Sequence, residues 1–350
     1  MTKRSSPSPE LNDRQLSVLY CVARAYVSKG KAVSSKHVLE SSNLDFSSAT
    51  IRNDMRKLEY LGYITQPHTS AGRVPSDKGL RFYFESVKNL SRELDAPSGD
   101  IAVRTTNVIG DIEKLLRTTT RFIAKAAKTL VIIEKPDVGK LTVRNIGITE
   151  VAEGYLNFTI VTELGVTMNV TVFSGPLQEG LSDLRTTVND VVAGRTVGEI
   201  RHGIRNVKLE DERWYRKELQ QIIYFLENVF DSEMDEENYR YGFEFLMSNP
   251  FLDWDDIVGI VQHVENPSSL DELLQDLCQK EPVSESRVFI GEEIGKAQLR
   301  NFAVMIAPYS RHEEVLGNVI IISPKVVLYE KVFSQLEFAA NRLTEVFSSR

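Results

Sequence analysis

Apolar positions recur at helical spacing through the first ninety residues. Leu16, Leu19, Tyr20, Ala23, Tyr26 and Val27 fall on one face and predict a first helix, closed by Gly30 at a position suited to a left-handed cap. Ser34 is placed to cap a short second helix with Val38 and Leu39 inward, stopped by the loop Ser41–Phe46. Ser47 caps a third helix whose Ile51, Met55, Leu58 and Leu61 share one side, with Gly62 at its end. Tyr63–Pro67 and Arg73–Pro75 read as short strands around the polar turn His68–Gly72. Ser76 then opens a fourth helix with Leu80, Phe84 and Val87 inward.

The pattern changes along the rest of the chain. Val108, Ile112, Leu115, Leu116, Phe122, Ile123 and Ala126 trace an amphipathic helix that runs into the apolar segment Leu130–Ile133. Leu141–Ile148, Tyr155–Leu164 and Val166–Phe173 are rich in β-branched and aromatic residues, with Gly154 and Gly165 as breaks, and predict an antiparallel meander. Further strands are expected at Arg287–Ile290, Phe302–Pro308 and Gly317–Ile322. A terminal helix follows with Tyr329, Val332, Phe333, Leu336, Ala339, Ala340 and Leu343 inward. Between the strand groups lies a mainly helical stretch, with a stripe of Ile222, Ile223, Leu226, Val229 and Phe230. A capping box from Ser269 to Glu272 is expected to start a later helix in it. Trp214, Phe225, Phe230, Phe243, Phe245, Phe251 and Trp254 read as core. The expected class is α+β, with a sheet interrupted by a helical insert.

Charge sharpens this division. Residues 1–92 hold 15 Lys and Arg against 8 Asp and Glu, a net +7, whereas residues 93–350 hold 27 against 41, a net −14. A basic first quarter on an acidic body points to one segment that meets a polyanion, with nucleic acid the first candidate. Catalytic and cofactor chemistry finds little footing. Cys21 and Cys278 stand alone, and His37, His68, His202, His263 and His312 never fall at metal-ligand spacing. The phosphate-loop, dinucleotide and nucleophile-elbow patterns are missing. Asp253, Asp255 and Asp256 follow Pro250 where acidic residues commonly begin a helix. Neither an enzyme nor a cofactor is expected. No apolar run reaches the length of a membrane span, and no apolar segment follows the basic, Ser- and Pro-rich start, so no membrane association and a cytoplasmic protein are expected.

The third helix is the natural place for polyanion chemistry. Ser48, Ala49, Arg52, Asn53 and Arg56 form its outer stripe, combining small residues with donors and acceptors suited to base edges and phosphates. A solvated surface helix would look similar taken alone. The following hairpin favours a winged helix-turn-helix instead. In that reading Arg52, Asn53 and Arg56 read bases, and Ser47, Ser48 and Thr50 set the helix on phosphates. The wing supplies His68, Thr69, Ser70, Gly72 and Arg73, and the fourth helix keeps Lys78 and Arg81 free for phosphates.

The same residues carry a family resemblance. Ser47-Ser48-Ala49-Thr50-Ile51-Arg52-Asn53-Asp54-Met55, then Leu58-Glu59, Leu61-Gly62, the run Gln66 to Pro75 and Lys78-Gly79 resemble the DNA-binding motif of the heat-inducible transcription repressors of the HrcA type. The likeness is dense over residues 11–90 and continues thinly through Ile290-Gly291-Glu292-Glu293 and Gly317 to Pro324. Where the family usually reads Gly-Pro-Thr-Arg-Met, this chain has Ser323-Pro324-Lys325-Val326-Val327. The resemblance implies a GAF-like antiparallel sheet domain interrupted by an inserted dimerisation domain. The expected division is a disordered start at 1–10, a winged-helix DNA-binding domain at 11–92, a GAF-like domain at 100–195 and 284–350, and the insert at 196–283. It also implies a homodimer on an inverted-repeat operator before chaperone operons, support from a GroEL-type chaperonin, and release on heat stress. A metabolite-responsive winged-helix repressor with a small-molecule pocket in the GAF-like domain is the alternative function. An assembly scaffold whose winged helix contacts protein is a third.

Overall fold

The structure is a computed structural model, and it describes residues 11–41, 46–67, 72–90, 112–173, 180–192, 194–200, 238–278 and 284–349. The expected disordered start at 1–10, the stripe Ile222–Phe230, and Trp214, His202 and Val108 lie outside the described residues.

The N-terminal segment follows its local signals closely. Helix α1 (Asp13–Lys29) starts from a capping box between Asn12 and Gln15 and ends at Gly30, whose φ of 66° is the left-handed cap that glycine adopts without strain. Helix α2 (Ser35–Ser41) begins where the Ser34 hydroxyl accepts from the His37 amide at 3.2 Å. Helix α3 (Ser48–Tyr60) is capped by Ser47, which accepts from the Thr50 amide at 3.1 Å. Strands β1 (Ile64–Thr65) and β2 (Val74–Pro75) pair antiparallel, and Ser76 caps helix α4 (Asp77–Val87). Val18, Leu19, Val22, Val33, Val38, Ile51, Met55, Leu58, Tyr63 and Ile64 form the core beneath α3.

Helix α1 is rotated from the expected face. Val18 and Val22 are fully buried, while Leu16, Tyr20 and Tyr26 are only half-buried. The cause is burial on two sides. Val18, Leu19 and Val22 pack under α3, whereas Ala23 and Val27 belong to a second core shared with α4 and with elements far along the chain.

That second core is built on a five-stranded antiparallel sheet of order β7-β3-β10-β9-β8. Its strands are β3 (Leu130–Ile133), β7 (Tyr239–Tyr241), β8 (Arg287–Ile290), β9 (Phe302–Arg311) and β10 (Glu314–Pro324). The continuous apolar runs in β3 and β10 arise because both faces are covered. Val131, Ile133, Val319 and Ile321 face helices α5 (Ile112–Ala127) and α10 (Tyr329–Ser348). Leu130, Ile132, Ile320 and Ile322 face α7 (Phe243–Met247), α8 (Trp254–Val264) and α9 (Pro267–Leu277).

Strands β4 (Val143–Ala152), β5 (Tyr155–Thr162) and β6 (Thr167–Phe173) form the expected meander, but as a separate sheet. Ile146, Ile148, Leu156, Phe158 and Ile160 pack with Leu184 and Val188 of helix α6 (Leu181–Val192) in a core of their own. The expectation that the meander shares a sheet with the C-terminal strands is therefore corrected, as is the assignment of residues 239–277 to the insert. Alternation along a strand marks its buried face, not its neighbour. The neighbour of β3 is β7, which pairs Val131 with Tyr241 and Ile133 with Tyr239.

Two smaller expectations also change. Helix α9 starts at Pro267 under an Asn266 cap, not at a Ser269–Glu272 box, because Pro at the first position has the helical φ and no amide to satisfy. Trp254 is not core: it is 71% exposed on α8. Asp253 and Asp256, in contrast, form the capping box of α8, the helix-starting use of acidic residues that their position suggests.

Candidate nucleic-acid interface

Helix α3 has two faces of different fate. Its inner face is fixed by Ile51, Met55 and Leu58, and by a buried Asp54 that accepts from Arg14 of α1 at 2.6 and 3.1 Å. Its outer face, the stripe of Ser48, Ala49, Arg52, Asn53 and Arg56, is fully exposed. Among the described residues, the side chains of Arg52, Asn53 and Arg56 have no hydrogen-bond, ion-pair or ring partner. Tyr60, four residues beyond Arg56, is 89% exposed on the same stripe. Tyr60 is not among the residues singled out from the sequence; its i+8 spacing from Arg52 is the signal that finds it.

The caps account for some of the candidates. Ser47 and Thr50 join their hydroxyls at 2.9 Å at the start of α3, so both are engaged in holding the helix terminus. Ser48 is left exposed beside them.

The hairpin after α3 is built more tightly than a phosphate-approach loop requires. Gly72 is needed by the protein itself: a Cβ there would stand 2.4 Å from the Val33 carbonyl oxygen, across the bridge that joins Val33 to Arg73. Gly79 is a second such case, its missing Cβ leaving room for the Tyr63 carbonyl. The backbone crossing is by itself a reason for glycine at this position. The Arg73 guanidinium is half-buried and donates to Glu59 at 3.1 Å from Nε, with Nη2 at 2.9 Å. His68, Thr69 and Ser70 lie outside the described residues.

Helix α4 departs furthest from expectation. Lys78 lies 4.0 Å over the Tyr63 ring and donates to the Leu61 carbonyl at 3.1 Å. Arg81 is ion-paired to Glu293 and donates to the Val288 carbonyl, so it is not free for phosphates. Burial alone would lower the proton affinity of that guanidinium, but Glu293 and Glu85 more than reverse it and the net shift is upward. Asp77 is held by Lys325 at 2.8 Å and by the Glu292 amide at 2.9 Å, at a turn where Gly291 (φ 58°) leaves room for the Asp77 carboxylate. Aromatic packing seals the contact. Tyr83 meets Tyr20 and Tyr329 at 5.6 and 6.3 Å, and Phe84 meets Tyr329 and Phe333 at 5.9 and 5.2 Å. Burial pushes the phenols of Tyr83 and Tyr329 well above their ordinary ionisation range. At the other end, the Phe251 ring occupies the space a Cβ on Gly30 would need. Helices α1 and α4 are thereby fixed on the five-stranded sheet unit.

Other chemistry is sparse. Among the described residues, no group of three His, Cys, Asp or Glu side chains is placed to hold a metal ion, and no helix is long and apolar enough to cross a membrane. Burial raises the thiols of Cys21 and Cys278, which keeps them protonated and unreactive.

Comparison with known proteins places this geometry. A family model described as the HrcA protein C terminal domain matches residues 113–333. The heat-inducible transcription repressor HrcA of Thermotoga petrophila is 38% identical over 352 residues, covering 99% of this chain and 97% of the relative. The repressor of the same name from Thermodesulfovibrio yellowstonii is 28% identical, covering 97% and 98%. A crystal structure described as that of a hypothetical protein at 2.2 Å superposes with a TM-score of 0.71 at 34% identity, covering 97% of this chain and 99% of its own.

Proposed function

The chain belongs to the HrcA family of heat-inducible transcription repressors, and from that premise we propose that it represses by gripping an inverted-repeat operator as a homodimer. Residues 11–92 act as a winged helix-turn-helix. Helix α3 enters the major groove, where Arg52, Asn53 and Arg56 read base edges, Ser48 and Tyr60 contact the backbone at either end of the stripe, and Ser47 and Thr50 hold the helix terminus. His68, Thr69 and Ser70 of the wing meet the flanking backbone. Arg73, Lys78 and Arg81 act indirectly, by fixing the hairpin and α4.

The observation that carries this reading is the pairing of an anchored inner face with an outer face whose Arg52 and Arg56 have no partner among the described residues. A solvated face would do as well with any charged residues. A base-reading face needs side chains with free donors on a helix held to its domain, and Asp54 ties α3 to Arg14 of α1.

The five-stranded sheet unit takes the part of the GAF-like domain, and the β4–β6 unit, which leaves that sheet after β3 and precedes β7, takes the part of the dimerising insert. A dimer is needed because each half of an inverted repeat takes one recognition helix. Operators before chaperone operons, support by a GroEL-type chaperonin, release on heating and a cytoplasmic location complete the proposal. Its test is equilibrium binding of the full chain to an inverted-repeat duplex recovered from a randomised pool, against a scrambled duplex at the same salt. The reading expects at least about a thousandfold preference. Equal affinity for both duplexes would overturn it.

A further inference from the structure

At the β7 edge of the five-stranded sheet, α5 and β7 border a cavity of about 400 Å³, within the size range of small-molecule sites. Its wall carries Arg117 and Arg121 from α5, Arg240 from β7 and Lys135 after β3, against a single carboxylate, Glu265. This concentration of positive charge is foreign to its surroundings, because residues 93–350 carry a net −14.

Two features leave Arg117 and Arg121 available to a ligand. First, Arg117, Arg121 and Arg240 have no carboxylate partner among the described residues, although ion pairs hold Arg81, Arg73 and Arg311 elsewhere. Second, Arg117 lies over the Tyr239 ring at 5.3 Å and Arg121 over the Tyr241 ring at 5.6 Å. These contacts use the charge and no N–H donor, so the guanidinium N–H groups stay available to an oxyanion. The two like charges one turn apart on α5 add a repulsion that the same oxyanion would relieve.

The cavity is not an extension of the α3 surface. Helix α4 docks at the β8 edge through Arg81 and Val288, and the cavity opens at the β7 edge. Four strand spacings separate the two edges, about 19 Å.

We propose that this cavity is a binding site for a small, multiply charged oxyanion, held by the guanidinium groups of Arg117 and Arg121. The site stands independently of the DNA-binding reading. Calorimetric titration of the full chain with pyrophosphate and, separately, with citrate tests it and separates a phosphate-bearing ligand from a polycarboxylate. One saturable site per chain is expected for at least one of the two. The exposed double substitution Arg117→Gln with Arg121→Gln should weaken it at least tenfold, while Arg56→Ala leaves it unchanged. The proposal is overturned if neither anion binds saturably, if the double variant binds as the parent does, or if that variant loses affinity for duplex DNA while the parent binds neither anion.

Discussion

Helices α3 and α4 are neighbours in the chain, each with arginines on a polar face, and the protein employs those arginines in opposite ways. On α3, Arg52 and Arg56 point away from the body and meet no partner among the described residues. On α4, Arg81 is enclosed by Glu293 and the Val288 carbonyl, and Asp77 by Lys325 and the Glu292 amide. The difference teaches that a basic helix is not in itself a nucleic-acid contact. A cation satisfied inside the chain has its donors spent, and its contribution is to orientation. In the proposed function the fixed α4 sets the angle at which α3 is presented, and α3, whose arginines are unpaired among the described residues, does the reading.

The strongest test of α4 as a fixture is Phe84→Ala, which removes the ring packed against Tyr329 and Phe333. A loss of about 3–5 kcal/mol in urea unfolding is expected. Arg52→Ala on α3 should by contrast move stability by no more than about 0.5 kcal/mol. Comparable losses from the two would erase the distinction.

Arg81→Met probes the polar half of the same contact. It removes the Arg81 donors from the Val288 carbonyl and from Glu293, which keeps the Ile290 amide, and a cost of about 1–3 kcal/mol is expected. An unchanged denaturation midpoint would show that the ion pair orients nothing. Ser47→Ala, at the start of α3, should cost about 1 kcal/mol by exposing the Thr50 amide, measured in the same way.

Alkaline titration gives a smaller effect. The Tyr83 and Tyr329 phenols ionise near 10 in the unfolded chain and higher in the folded one. The folded state therefore holds protons that the unfolded state releases, so stability is intact below pH 10 and declines as pH rises beyond it. Tyr83→Phe should flatten that decline in a series of melting temperatures, and an unaltered slope would contradict the role assigned to the buried phenols.

Much of this could be read from sequence where the cause is local. The caps at Ser47 and Ser76, the inward face of α3 and the twenty-residue terminal helix depend on neighbours within a few positions, and they stand where the pattern puts them. The fate of Arg81 could not be read in this way, because its carboxylate partner is 212 residues distant in the chain. The same reason misplaced the meander: each of its strands was recognisable, but nothing in them states that β3 pairs with β7 and β10. Gly72 shows how one residue admits two reasons, since a small residue between strands fits both phosphate approach and a crossing over Val33. Lys325 shows the converse. It stands in a stretch that departs from the family pattern, yet it supplies the cation that Asp77 requires.

The division of labour between the two helices is tested most directly by Arg56→Ala, assayed for affinity to the selected operator and to several unrelated duplexes at one salt concentration. Loss of a base contact should cost about 1–3 kcal/mol on the operator and leave the unrelated duplexes nearly unaffected, with unfolding unchanged. A uniform loss across every duplex would contradict it, and would reduce α3 to a backbone contact.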